Sequence, residues 1–153
     1  MKILVMSDSH KAKNNILTAI EAEKPNMVLH LGDHEKDCVV IKQAYPELDV
    51  RTVPGNCDGW GSGVDVDEFM LEGKRFIMTH GHIFDVKSTL SSILSAATSR
   101  KADILLYGHT HIPHFEIIDN LTVLNPGSIS EATKSYAVLE IENGNMECEL
   151  KKI

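Results

Sequence analysis

The chain has few cysteines, few arginines and no long apolar run, and each shortage narrows what it can be. Its three cysteines, Cys38, Cys57 and Cys148, are odd in number and form no CxxC pair. That argues against a disulfide framework and for a reducing, cytoplasmic setting. It also leaves no thiolate pair for a structural zinc. No stretch of roughly 18 apolar residues occurs, so no transmembrane helix is expected. The strand-like Ile3-Leu4-Val5-Met6 comes at once, without a charged-then-apolar layout, so no signal peptide is expected. Only three arginines are present and the formal net charge is −7, which argues against nucleic acid as a partner. Repeats, linkers and low-complexity segments are absent as well. An acidic chain that handles an anionic substrate needs local positive charge, and bound metal ions would supply it.

What is present is the apolar and charged balance of a globular protein, at 42% and 24%, in a length of 153 residues that suits one domain over 1–153. The first half alternates strand and helix patterns. Ile3 to Met6 leads into Ser7-Asp8-Ser9-His10. A helix near Asn14 to Lys24 follows, with Ile16, Ala19 and Ile20 on one face and Ala22 at its edge. Glu21 and Glu23 are expected towards solvent, and Pro25 closes the helix. Met27 to Leu31 ends in Gly32-Asp33-His34, and a helix from about Asp37 to Ala44 stops at Tyr45-Pro46. Val50 to Val53 runs into Pro54-Gly55-Asn56-Cys57-Asp58. This alternation predicts parallel strands with crossover helices, and such sheets bind ligands at the carboxyl ends of their strands.

The second half is richer in strands. Turn chemistry explains the glycines of the Gly55 to Gly63 loop, which holds Trp60, with a substrate-gating loop as the alternative. Glu68 to Leu71 and Arg75 to Met78 form a hairpin that ends in Thr79-His80-Gly81-His82. A helix from about Lys87 to Ser99 carries Leu90, Ile93, Leu94 and Ala97. Asp103 to Tyr107 delivers Gly108-His109-Thr110-His111. Phe115 to Ile118 and Leu121 to Leu124 flank a turn at Asp119-Asn120, and Asn125-Pro126-Gly127-Ser128 follows. The last hairpin, Tyr136 to Ile141 and Met146 to Leu150, alternates Met146, Cys148 and Leu150 against Glu147, Glu149 and Lys151.

The polar residues at strand ends are Asp8, His10, Asp33, Asn56, His80, His109 and His111. A lone Asp or Asn there is ordinarily a helix cap or turn former. That explanation would have to hold at five loops at once. Seven oxygen and nitrogen donors are too many for one ion, but suit two ions that share a carboxylate. Carboxylate with imidazole favours manganese, iron, zinc, nickel or cobalt over calcium or magnesium.

Asp8-x-His10, Gly32-Asp33, Gly55-Asn56-Cys57-Asp58, His80 and Gly108-His109-x-His111, in this order, resemble the calcineurin-like metallophosphoesterases. The spacing is similar to the small single-domain phosphodiesterase branch, which also includes a retromer scaffold subunit, and the resemblance runs from Lys2 to Ser128. It implies a four-layer αββα sandwich of two mixed β-sheets flanked by helices. It also implies two divalent transition-metal ions, manganese first, with nickel, cobalt, zinc and iron as alternatives. One ion would take Asp8, His10, Asp33 and His111; the other would take Asp33, Asn56, His80 and His109. The implied activity is hydrolysis of a small phosphate ester, most simply a diester, by in-line attack of a metal-bridging hydroxide. No covalent enzyme intermediate is then expected. The competing expectation is a protein-interaction scaffold of the same fold.

Many family members have histidine where this chain has Cys57, so the leaving-group acid does not carry over. Asn56, Cys57, Asp58 and His82 form the candidate catalytic set, with Asn56 and His82 as substrate contacts. His82 is either a donor or acid towards the phosphate, or a residue behind the ligands or at the surface. A thiol is a weak donor, so activated leaving groups such as nitrophenol should react best. Asn125 to Ser128 is either a loop that closes the site or a plain turn. Lys11 and Lys13 either steer anions or begin a solvated helix, and His30, His34 and His114 read as structural or surface residues. The natural ester, the preference for monoester or diester, and a homo-oligomeric state are not encoded in these motifs.

Overall fold

The computed structural model describes residues 1–59, 63–130 and 132–153. Trp60, and with it the gating alternative for its loop, lies outside the described residues. In β1 (Lys2–Met6) alternate side chains serve different layers, Ile3 and Val5 on one face and Leu4 and Met6 on the other. Helix α1 (Lys13–Glu23) buries Ile16, Ala19 and Ile20. It ends because Lys24 turns left-handed (φ 48°) and returns its N–H to Ile20 O, just ahead of Pro25. Then come β2 (Met27–His30), a 3₁₀ turn at Glu35–Cys38 that continues into α2 (Val39–Ala44), and β3 (Asp49–Thr52). The single helix expected from Asp37 is thus divided, because Asp37 is drawn into hydrogen bonds with Ser9 and Lys11.

Next are β4 (Val66–Leu71), β5 (Lys74–Thr79), a 3₁₀ turn at His82–Phe84 and α3 (Ser91–Ser99). Helix α3 starts four residues later than the periodicity predicts. Asp85 has φ 53°, and the Thr89 hydroxyl accepts the Ser91 N–H, so the stretch before Ser91 forms turns instead. The chain closes with β6 (Ile104–Tyr107), β7 (Pro113–Ile118), β8 (Leu121–Pro126), β9 (Ser135–Glu142) and β10 (Asn145–Lys152). Three two-residue turns with positive φ, Glu72-Gly73, Asp119-Asn120 and Asn143-Gly144, make the hairpins.

The strands form two mixed sheets, ordered β10-β9-β1-β2-β3 and β4-β5-β6-β8-β7. Between them lie Ile3, Val5, Leu29, Phe76, Met78 and Leu106 among others. Outside the first sheet, α1 and α2 cover Leu4, Met6 and Val28; outside the second, Ile93 and Ala97 of α3 cover Ile77, Leu105 and Val123. The architecture is therefore a four-layer αββα sandwich. Among the described residues no helix is long and apolar enough to cross a membrane.

Two side chains depart from the simple periodicity. Ala22 is exposed, whereas the Glu23 side chain is only 8% exposed. Glu23 accepts from Tyr136 Oη (3.0 Å) and Lys151 Nζ (3.0 Å), and Lys2 Nζ lies 3.6 Å away. Glu23 and Lys151 therefore join α1 to the β9-β10 hairpin, while Leu150 is left exposed.

Candidate metal centre

Each parallel strand ends in a loop, and the loops after β1, β2, β3, β5 and β6 meet at one edge of the two sheets. Backbone bonds hold them together: Asp8 N–H to Gly32 O (2.9 Å), Ser9 N–H to Asp33 O (3.3 Å) and Gly108 N–H to His80 O (3.1 Å). Gly32, at φ +93°, has a position where a Cβ would lie 2.7 Å from Gly55 N, so those two loops can touch only because the side chain is missing. Asp8, His10, Asp33, His109 and His111 all have φ between 42° and 68°. Left-handed backbone costs a non-glycine residue roughly 1–2 kcal/mol, and five such residues at one edge mark a strained functional site.

The strain turns their side chains towards a common point. Asp8 Oδ1 is 3.0 Å from His111 Nε2, 3.9 Å from His80 Nε2 and 4.0 Å from His10 Nε2. Asp33 directs Oδ1 to His80 Nε2 (3.5 Å) and Oδ2 to His10 Nε2 (3.9 Å), so its two oxygens face opposite sides. His80 Nε2 also lies 3.2 Å from Asn56 Oδ1 and 3.1 Å from His109 Nδ1. All seven strand-end residues are thus gathered. Two overlapping groups, Asp8-His10-His111 and Asp8-Asp33-His80, have their donor atoms within 4.8 Å of one another.

The donor set fits metal ions. Asp8 is fully buried, yet its Oδ1 has no hydrogen-bond partner, and neither has the buried His10 Nε2. Burying such atoms unsatisfied is costly, and a cation among them removes the penalty. Burial alone would raise the Asp33 carboxyl. The Cys57 N–H, which donates at 2.8 Å, together with His80 instead holds it below the ordinary carboxylate range. Burial, then the His80 and Lys87 charges, pushes His109 down to about 4, so its imidazole is neutral as a ligand must be.

The supporting contacts include residues that sequence patterns did not single out. Ser7 Oγ donates to Asp8 Oδ2 at 2.5 Å, and Ser128 Oγ donates to Asp8 O at 2.8 Å. Asp37, buried, accepts from Ser9 Oγ (2.9 Å) and Lys11 N (2.6 Å), so Lys11 contributes its backbone to the loop. His80 Nδ1 is 2.8 Å from Leu31 O, which aims Nε2 at the centre. His30, at the end of β2, is wholly buried, and burial pushes it down to about 4. No local signal marks Asp37, because its partners Ser9 and Lys11 are 28 and 26 residues away in the chain; Ser7 lies next to its partner Asp8, but its burial against Gly108 is decided by packing.

Around this core, Asp58 accepts from Glu35 N (3.0 Å) and Gly55 N (2.9 Å), tying the Asn56 loop to the segment after β2. Cys57 is exposed, and burial of its sulfur followed by the Asp33 hydrogen bond pushes the thiol up to about 11. The His82 ring is 5.4 Å from that of His80 and 6.2 Å from that of His109. Its buried Nδ1 has no partner, and burial followed by the His80 charge lowers its pKa. His34 packs edge-on against His10, with ring centroids 5.1 Å apart.

A family model, the calcineurin-like phosphoesterase superfamily domain, matches residues 1–144. A probable metallophosphoesterase of Mycoplasma pneumoniae is 35% identical over 131 residues, 84% of this chain and 79% of the relative. A probable metallophosphoesterase of Bacillus subtilis is 31% identical over 150 residues, 94% of this chain and 86% of the relative. The crystal structure of a predicted phosphoesterase of Streptococcus pneumoniae superposes with a TM-score of 0.81 at 28% identity, covering 99% of this chain and 88% of that one.

Proposed function

Because this chain belongs to the calcineurin-like phosphoesterase superfamily, we propose that residues 1–153 form one dimetal-dependent phosphodiesterase domain acting on a small phosphate ester. The observation that carries the reading is Asp8 Oδ1, buried without a hydrogen-bond partner and surrounded by three imidazole nitrogens at 3.0–4.0 Å. Asp8, His10, Asp33 and His111 would hold one ion and Asp33, Asn56, His80 and His109 the other. The divergent oxygens of Asp33 support its place between them. Two divalent transition ions, manganese first, would supply Lewis acidity to the phosphoryl group and activate water near neutral pH.

The chain's own residues provide the rest. The backbone loops fix the donors so that little reorganisation accompanies the reaction. His82, whose ring lies 5.4 Å from that of His80 and 6.2 Å from that of His109, would donate a hydrogen bond to a phosphoryl oxygen. Asn56, exposed at the mouth, contacts both centre and substrate. The Cys57 thiol stays protonated at neutral pH, which argues against covalent catalysis through sulfur. A cytoplasmic setting suits the three free thiols.

The test is hydrolysis of bis-p-nitrophenyl phosphate by metal-stripped protein, with manganese, nickel, cobalt, zinc and magnesium restored singly. Metal-dependent release of nitrophenol that disappears in Asp33→Ala is the expected result. No turnover with two ions bound by elemental analysis would overturn the enzyme reading and favour a scaffold.

A further inference from the structure

Beside the centre, a cleft of about 440 Å3 opens between two segments that each begin at a site histidine. After His82 comes one wall, with Val86, Lys87 and Leu90; after His109 comes the other, with Thr110 and Ile112. At the head of the walls the two rings are 6.2 Å apart. Thr110, which lines the cleft, lies between His109 and His111 in the chain, so this wall is continuous with the loop that carries two of the donors. Fully buried Asn125 holds that loop by donating to Gly108 O (2.9 Å) and Thr110 Oγ1 (3.0 Å). Tyr107 and His114 also line the cleft, and the Tyr107 hydroxyl is 2.9 Å from His114 Nδ1. A larger groove of about 730 Å3 lies around Lys24 to Asn26 and Tyr45 to Leu48, at the amino ends of β2 and β3 and away from this chemistry.

We infer that the cleft receives a ring-bearing arm of the phosphate ester, with Leu90, Ile112 and Lys87 as its specificity determinants. This rests on the phosphoesterase reading of the neighbouring centre. The walls are apolar where a ring would lie: Val86 is buried, Leu90 half-buried, and Ile112 is 67% exposed with nothing covering it. A short alkyl arm would leave that surface to water, whereas the volume suits a ring system. Lys87 forms no ion pair with a carboxylate among the described residues, so its charge at the rim favours neutral or anionic rings over cationic ones. The Thr110 hydroxyl, although it accepts from Asn125, keeps its own proton for a polar ring substituent.

Binding of two non-hydrolysable probes, phenylphosphonate and methylphosphonate, to the zinc-loaded protein tests this without turnover. Calorimetry gives the affinities, and methyl resonances of Val86, Leu90 and Ile112 report the position. Phenylphosphonate is expected to bind about tenfold more tightly, the decade that burying about 50 Å2 of ring surface supplies. Its shifts should centre on those methyls. Ile112→Ser, at an exposed position, should lower phenylphosphonate affinity several-fold more than methylphosphonate affinity, and Lys87→Glu should lower the affinity of 4-carboxyphenylphosphonate several-fold more than that of phenylphosphonate. Equal affinity of the two probes, or ring shifts elsewhere, would overturn the inference while leaving the phosphoesterase reading intact. Failure of both probes to bind zinc-loaded protein would overturn both.

Discussion

Replacing Gly108 with alanine perturbs the centre without altering any ligand side chain. The added methyl would overlap the Ser7 hydroxyl and lie 3.1 Å from Asp8 Oδ2. Ser7 is fully buried and donates to Asp8 Oδ2, so its hydroxyl cannot swing into water. Giving way breaks a hydrogen bond to a charged group, worth roughly 1.5–3 kcal/mol. Overpacking a filled site costs a similar amount, about 1–3 kcal/mol. A loss of about 2 kcal/mol lowers Tm by about 4–8 °C in a domain of this size. The same carboxylate presents Oδ1 to His111 at 3.0 Å, so metal affinity should fall as well, by about tenfold or more for 1.4 kcal/mol of lost ligation. Adding Ser7→Ala removes the overlapping oxygen and leaves a Cβ at 3.1 Å, which should recover part of both losses. Thermal unfolding and zinc competition titration on the wild type, single and double variants provide the assay. Wild-type Tm and zinc affinity in Gly108→Ala, or a double variant no better than the single, would refute the reasoning.

Burial raises the Glu23 carboxyl, but Lys151, Tyr136 and Lys2 outweigh it and hold the group below 4.5. Its contribution is therefore present above that ordinary value and lost as pH falls through the folded one. Glu23→Gln should lower Tm at pH 7, and this deficit should shrink as pH falls below 4.5; a deficit that does not change with pH would count against this ion cluster. Cys57→Ala should keep turnover within about tenfold of the wild type, since a protonated thiol is no nucleophile; a loss of about a thousandfold would reverse that assignment. His10→Ala should bind one ion per chain by elemental analysis and Asp33→Ala neither. Two ions in both would contradict the proposed sharing of Asp33.

The hairpins and crossover units were legible because their signals are local. Period-two and period-3.6 patterns depend on which face of a short segment is buried, and Asn143-Gly144 or Asp119-Asn120 encode their own turns. The later start of α3 was not legible, because leucine at position 90 fits the helical face while Asp85 and Thr89 favour turns. Glu23 was read as solvated for a similar reason. Helical spacing turns it away from the Ile16, Ala19 and Ile20 face, but its partner Lys151 lies 128 residues away in the chain.

The same division runs through the candidate site. From the sequence alone came the seven donor residues, their places at strand ends and the family they resemble, because donor chemistry and motif order are properties of single loops. Only the tertiary structure decided how those loops meet. It set Asp8 Oδ1 among three imidazoles, divided the oxygens of Asp33 between His10 and His80, and recruited Ser7, Asp37 and Asn125 as supports. It also opened the cleft between the His82 and His109 segments. Such distances depend on how two sheets pack, and that packing is a balance of many small contacts spread over the whole chain rather than a property of any one stretch.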